Sequence, residues 1–178
     1  MTTGVEMKEK VGPALGRIAS GVYIVTVGGK EDRDGMLATW ICQSGFAPPS
    51  VVLVVNKERD ILKRLAIGAN CAVNVLSKSN MDIFKAFAKP HNEGKFDGLD
   101  LVEGTPCPVF SACISYMQVQ IKSSTDAGDH AHPRTGRQNQ LVIAAPAIHR
   151  PVLDRARELH HHVPAAIAHL HSRVGAGD

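Results

Sequence analysis

The chain has 178 residues, of which 44% are apolar and 21% charged, with a net charge of +3. That size fits one domain, or one domain with an appendage, and it can bury a core without disulfides or metals. Lys and Arg are scattered rather than clustered, so nothing points to a nucleic-acid partner. No apolar run approaches the roughly 18–20 residues of a membrane span. Met1 to Lys10 lacks the apolar stretch of a secretory signal and contains two Glu, unlike a transit peptide. Cys42, Cys71, Cys107 and Cys113 form no C-x-x-C pair and read as reduced thiols. A cytoplasmic protein with no membrane or nucleic-acid partner is expected.

Residues 1–12 are polar and read as a lead-in or linker. Pro13 to Ser20 predicts a short helix, with Ala14, Leu15 and Ile18 on one face. Gly21 to Val27 is β-branched and ends in Gly28-Gly29, a strand and its turn. Lys30 to Asp34 is a charged loop, and Met36 to Ile41 predicts a second strand. Ser50 to Asn56 is apolar on both faces, as for a central strand. Lys57 to Ile67 predicts a helix with Ile61, Leu62 and Leu65 as its stripe and Gly68 as its stop. Cys71 to Ser77 is a fourth strand. Ser79 or Asn80 caps a helix through Phe87, with Met81, Phe84 and Phe87 facing inward. Lys89 to Gly104 is a loop. In Ser115 to Lys122, Met117, Val119 and Ile121 alternate with Tyr116, Gln118, Gln120 and Lys122, as in a half-buried antiparallel strand. The expected fold is mainly β with helical insertions: a small antiparallel barrel rather than a doubly wound parallel sheet.

The tail differs from the body. Eight of the nine histidines lie from His130 onward, and no Phe, Tyr or Trp follows it. Only Leu141 to Ala145 reads as a strand. Val152, Ala156, Leu159, Val163, Ile167 and Leu170 recur at helical spacing, with Pro164 inside the pattern. Two readings stay open: a C-terminal helix covering the barrel, or a change of reading frame near His130. His160, His161 and His162 are consecutive and cannot all face one ion from a helix, so no metal site is assigned.

The stretch Gly35 to Pro49 carries the chemistry. A strand runs into a loop of small hydroxyl residues and glycine, and a double proline ends it. Thr39, Ser44 and nearby backbone N–H groups can donate to an anionic oxygen, and Gly45 allows close approach of a ligand. Trp40 can pack on a planar ring or on the barrel wall. By itself the stretch also reads as a plain strand and turn. The run Met36 to Phe46, with Pro48-Pro49 after it, resembles the hallmark segment of the flavin reductase-like, FMN-binding split-barrel family. Ala14 to Thr26, Val55 to Asp60, Cys71 to Leu76, Pro106 to Val109 and Gly128-Asp129-His130 keep the order found in the C-terminal flavin reductase module of flavodiiron proteins. The resemblance covers residues 13–130, leaving 1–12 as a lead-in and 131–178 as an atypical His/Ala/Arg-rich tail.

What the resemblance implies is an antiparallel split β-barrel, a homodimer, holding FMN or FAD near the dimer interface. Thr39, Trp40, Ile41, Cys42, Ser44 and Gly45 would then contact the flavin. Asn56, Lys57 and Arg59 would help hold its phosphate, Asn74 would lie beside it, and His130 would sit where nicotinamide or an acceptor docks. The implied activity is hydride transfer from NAD(P)H to flavin, then electron transfer to oxygen, free flavin, iron or a partner protein. A flavodiiron-type electron-transfer module, a flavin-binding module without reductase activity and a cofactor-free interaction barrel are the alternatives.

Overall fold

The computed structural model describes residues 4–88, 94–126 and 138–149. In chain order the elements are α1 (Gly4–Leu15), β1 (Tyr23–Val27), β2 (Asp34–Ala38), β3 (Ile41–Phe46), β4 (Pro49–Asn56), a 3-10 turn (Asp60–Arg64), β5 (Asn70–Val75), α2 (Met81–Ala88), β6 (Ser115–Asp126) and β7 (Gln138–His149). The strands form one sheet in the order β2-β1-β5-β6-β7-β4-β3, and every pairing is antiparallel.

That order forces the sheet to curl. β2 and β3 lie at opposite margins, yet only Thr39 and Trp40 separate them in the chain. Laid flat, seven strands would put the margins roughly 29 Å apart at ~4.8 Å per spacing. Three steps from Ala38 to Ile41 cover at most about 11 Å. The two margins must therefore meet, which makes the sheet a barrel with a seam at Thr39–Trp40. The continuous strand expected over Met36 to Ile41 is thus broken in two. Its residues all favour strand, and the break has a tertiary cause that local sequence does not carry.

Inside the barrel lie Val25, Val27, Met36, Ala38, Val51, Leu53, Val55, Cys71, Val73, Val119 and Ile121, closed at one end by Ile61 and Leu65. A second core lies on the outer face of β1 and β5. Ile24, Ala72 and Leu76 pack there against Ile83 and Phe87 of α2 and against Phe96, Cys107, Val109, Phe110 and Cys113 of the following segment. Phe87 meets Phe96 and Phe110 edge-on, at centroid distances of 5.2 and 5.6 Å. Gly35 makes room for this layer, because a Cβ there would stand 2.8 Å from Cε1 of Phe87.

Several elements differ from expectation. α1 covers most of the stretch read as a lead-in; Val5 to Lys10 is rich in helix-forming Glu, Met and Lys. The helix expected over Pro13 to Ser20 instead ends at Leu15, and Leu15 and Ile18, expected on one face of it, are exposed. The helix expected over Lys57 to Ile67 is only a 3-10 turn, although Ile61 and Leu65 are buried as its spacing required. In α2, Ile83 and Phe87 face the core and Met81 is exposed. Asn80 precedes α2, but its Oδ1 accepts from the Ser77 N–H and its Nδ2 donates to the Ala112 carbonyl. β7 lies beyond the boundary drawn at residue 130, yet it pairs with both β6 and β4. The run Leu141 to Ala145, expected as a strand, is the middle of β7, which extends beyond it at both ends. The helical pattern from Val152 to Leu170 lies outside the described residues.

Candidate flavin site

The open surface is the outer face of β3 and β4. Alternation along β4 turns Val51, Leu53 and Val55 inward. Ser50, Val52 and Val54 therefore face outward, half-buried. Ile41 pairs with Leu53 and packs on the inner core, whereas Cys42, opposite Val52, is exposed. Trp40 is 51% exposed, and its carbonyl accepts from the Val54 N–H at 3.0 Å. Thr39 is exposed beside it.

At the other end of the same pair the register slips between Gln43 and Gly45, leaving Ser44 as the extra residue of a bulge. Ser44 Oγ donates to Ser50 Oγ at 2.9 Å. Gly45 stands opposite Ser50, and a Cβ on it would lie 2.9 Å from that hydroxyl. Phe46, at the hairpin tip, is 84% exposed.

Asn56 ends β4 at the Trp40 end. Its Oδ1 accepts from the Glu58 N–H at 2.9 Å and its carbonyl from the Arg59 N–H at 3.0 Å. These bonds occupy the Glu58 and Arg59 N–H groups. The 3-10 turn that follows opens with Asp60, which pairs with Lys63 at 2.8 Å. Anion binding here would rest on the Lys57 and Arg59 side chains, not on a helix dipole. Six steps along the chain lead from Ser50 to Asn56, roughly 20 Å of strand. The structure thus groups Thr39, Trp40, Asn56, Lys57 and Arg59 at one end and Ser44 with Gly45 at the other, with Cys42 between. Ile41 turns away into the inner core.

Asn74 stands apart. It lies on the second-core side of β5, fully buried, where Nδ2 donates to the carbonyls of Ile24 (3.2 Å) and Pro108 (3.4 Å). Its Oδ1 accepts from the Phe110 N–H at 3.0 Å. Thr26 joins the same knot by donating to the Pro108 carbonyl at 2.6 Å. These bonds tether the 108–110 segment to the sheet, and they commit the amide that the sequence suggested for flavin. His130 lies outside the described residues. Ser50, Val52 and Val54 were not singled out from sequence. The period-two pattern of Ser50 to Asn56 carried the signal, since it puts all three on one side.

Among the cysteines, only Cys42 is exposed. Burial pushes the Cys71 thiol up to about 12, with neighbouring Cys107 adding to it, and burial pushes Cys113 up to about 11. These thiols stay protonated and inert at neutral pH. Among the described residues no cluster of His, Cys, Asp or Glu could hold a metal, and no helix is long and apolar enough to cross a membrane.

The chemistry of the face fits a flavin nucleotide: a large exposed aromatic, apolar Val52 and Val54, two hydroxyls beside a glycine, and two cations. Residues 15–132 match the model of the flavin reductase like domain. Diflavin flavoprotein A 1 of Synechocystis is 31% identical over 121 residues, which is 66% of this chain and 21% of that protein. The chain spans about a fifth of the length of the curated relatives it matches. Among solved structures, the NADH:FAD oxidoreductase of Streptomyces globisporus superposes with a TM-score of 0.69 at 23% identity, covering 84% of this chain and 86% of that one. The styrene monooxygenase flavin reductase of Pseudomonas putida gives 0.66 at 16% identity, covering 80% and 87%. These neighbours share the split-barrel fold, and with two thirds of its length matched by the family model, the chain belongs to the flavin reductase like domain family.

Proposed function

We propose that this domain binds a flavin nucleotide on the outer face of β3 and β4 and uses NAD(P)H to reduce it. The observation that carries this reading is the outward face formed by exposed Trp40 and Ser44 with half-buried Ser50, in a chain of this family. Bound there, a flavin supplies the chemistry: it accepts a hydride from NADH or NADPH and passes electrons on. FMN is the first choice and FAD the second; oxygen, free flavin, iron or a partner protein is the acceptor.

The protein's own part is binding and orientation. Trp40, Val52 and Val54 offer apolar surface to a planar ring and exclude water from it. Thr39 donates a hydrogen bond at the seam. Lys57 and Arg59 hold the phosphate by charge, helped by the ordered turn that Asn56 builds. The exposed apolar Trp40 and Phe46 suit a homodimer that completes the pocket, in a cytoplasmic protein. His130 is proposed to meet the nicotinamide or acceptor.

Purified protein mixed with FMN should quench flavin fluorescence and keep a yellow colour through gel filtration. It should then oxidise NADH or NADPH faster than FMN alone. A colourless protein that leaves FMN fluorescence unchanged would sink the flavin reading. Binding without any rate above the FMN blank would leave a flavin-binding module and remove the reductase. The match to a diflavin flavoprotein favours one second reading, an electron-transfer module of a longer chain. Under that reading the bound flavin is reduced by NAD(P)H, and its electrons pass on only when the rest of such a chain is added.

A further inference from the structure

We propose that Ser50 is the hydroxyl that donates to the bound flavin, and that Ser44 positions it. This rests on the flavin reading above and assigns the ligand contact to a residue outside the hallmark run's hydroxyl and glycine positions. Three observations meet at one place. Ser44 Oγ donates its proton to Ser50 Oγ at 2.9 Å, so the Ser44 proton is already committed. A hydroxyl has one proton and can accept as well, so Ser50 keeps its own proton to give outward. The bulge between Gln43 and Gly45 inserts Ser44 as an extra residue, and its hydroxyl reaches the outward-facing Ser50.

Gly45 supplies the third observation. It sits opposite Ser50 in the register, and its φ is not in the left-handed region, so backbone freedom is not the reason for a glycine. The space is the reason: a Cβ at 45 would stand 2.9 Å from Ser50 Oγ and 3.3 Å from the Pro48 carbonyl oxygen. The glycine therefore keeps the position in which Ser50 is held by Ser44. The acceptor on the ligand is an oxygen of the flavin ring or its ribityl chain, since the phosphate belongs with Lys57 and Arg59 at the far end of β4.

Titrating FMN and riboflavin against the wild type and against Ser50→Ala, Ser44→Ala and Gly45→Ala tests this. Ser50→Ala should weaken flavin binding roughly tenfold, as expected for one lost hydrogen bond. Ser44→Ala should cost less, about threefold, since it only frees the Ser50 hydroxyl to rotate. Gly45→Ala should resemble Ser50→Ala, and the double variant should be no worse than Ser50→Ala alone. Equal loss with FMN and riboflavin places the acceptor on the ring or ribityl chain and supports the assignment, whereas a loss with FMN alone would put the phosphate at Ser50 and overturn it. Urea midpoints should match the wild type, separating a binding loss from a folding one. Unchanged affinity of Ser50→Ala for both flavins, or a larger loss in Ser44→Ala, overturns it. Failure of the wild type to bind either flavin overturns the flavin reading itself.

Discussion

Gly35 and Gly45 lie ten positions apart in the same hallmark stretch, on the two strands that meet at the seam, and serve different surfaces. At Gly35 the missing side chain is filled by the Phe87 ring, in a layer where Thr26 and Asn74 have their hydrogen bonds satisfied. At Gly45 the space is shared with a serine hydroxyl on a face where Trp40, Cys42 and Phe46 are exposed. Buried polar groups that are fully bonded hold a fold together, whereas polar and aromatic groups left open are available to a ligand. Residue type alone does not separate the two: Asn74 and Ser44 are both small polar strand residues.

The largest expected effect lies on the sealed side. Asn74→Ala leaves the Phe110 N–H buried without a partner and removes the tether to Pro108, so it should cost about 2–4 kcal/mol in urea unfolding. A loss below about 1 kcal/mol would mean the knot is dispensable. Next, Gly35→Ala should cost about 1–3 kcal/mol, because an aromatic ring packed between α2 and the sheet cannot swing aside. Gly45→Ala, which meets only a rotatable hydroxyl first, should stay within about 0.5 kcal/mol of wild type. Equal costs at the two glycines would erase the contrast.

Alkaline pH gives a milder test of the same side. The folded thiols of Cys71 and Cys113 ionise higher than in the unfolded chain, so the stabilising difference is fully present below the unfolded value of about 8.5. It is lost as pH rises from there towards about 12 for Cys71 and about 11 for Cys113. Stability should be flat from these groups between pH 7 and 8 and fall above pH 9, and Cys71→Ala should flatten the fall. The smallest stability effect belongs to the open face: Trp40→Ala should change the urea midpoint by no more than about 0.5 kcal/mol. Its signature is lost FMN quenching, and a Trp40→Ala protein that quenches FMN like wild type would take the ring off that surface.

Much of the fold was legible because it is written in local alternation. β6 shows its inward Met117, Val119 and Ile121 plainly, and β1 and β5 stand out as β-branched runs. The seam was not legible, since Met36 to Ile41 is uninterrupted strand-forming sequence and only the closing of the barrel breaks it. Apolar spacing alone makes the 3-10 turn look like a helix, but the Asn56 side chain claims the Glu58 N–H just ahead of it. The burial of Asn74 is hidden in the sequence for a related reason. Period-two reasoning puts it on the same face as Ala72, but it cannot say that α2 and the 96–113 segment cover that face. In the candidate site, Thr39, Trp40 and Gly45 stand out by residue type. The partnership of Ser44 with Ser50 was not, because it depends on a one-residue bulge.

The seam at Thr39–Trp40 also sets the size of the barrel. Its circumference is governed by the length of a covalent link, and β2 and β3 share no ladder of their own in the sheet order. Every residue added there would let the margins part by up to about 3.5 Å. An insertion of the same size at the Ala47–Pro48 turn would lengthen only a hairpin tip. The two ends of one hairpin therefore differ sharply in tolerance to insertion, and a redesign meant to admit a bulkier ligand has its adjustable length at the seam.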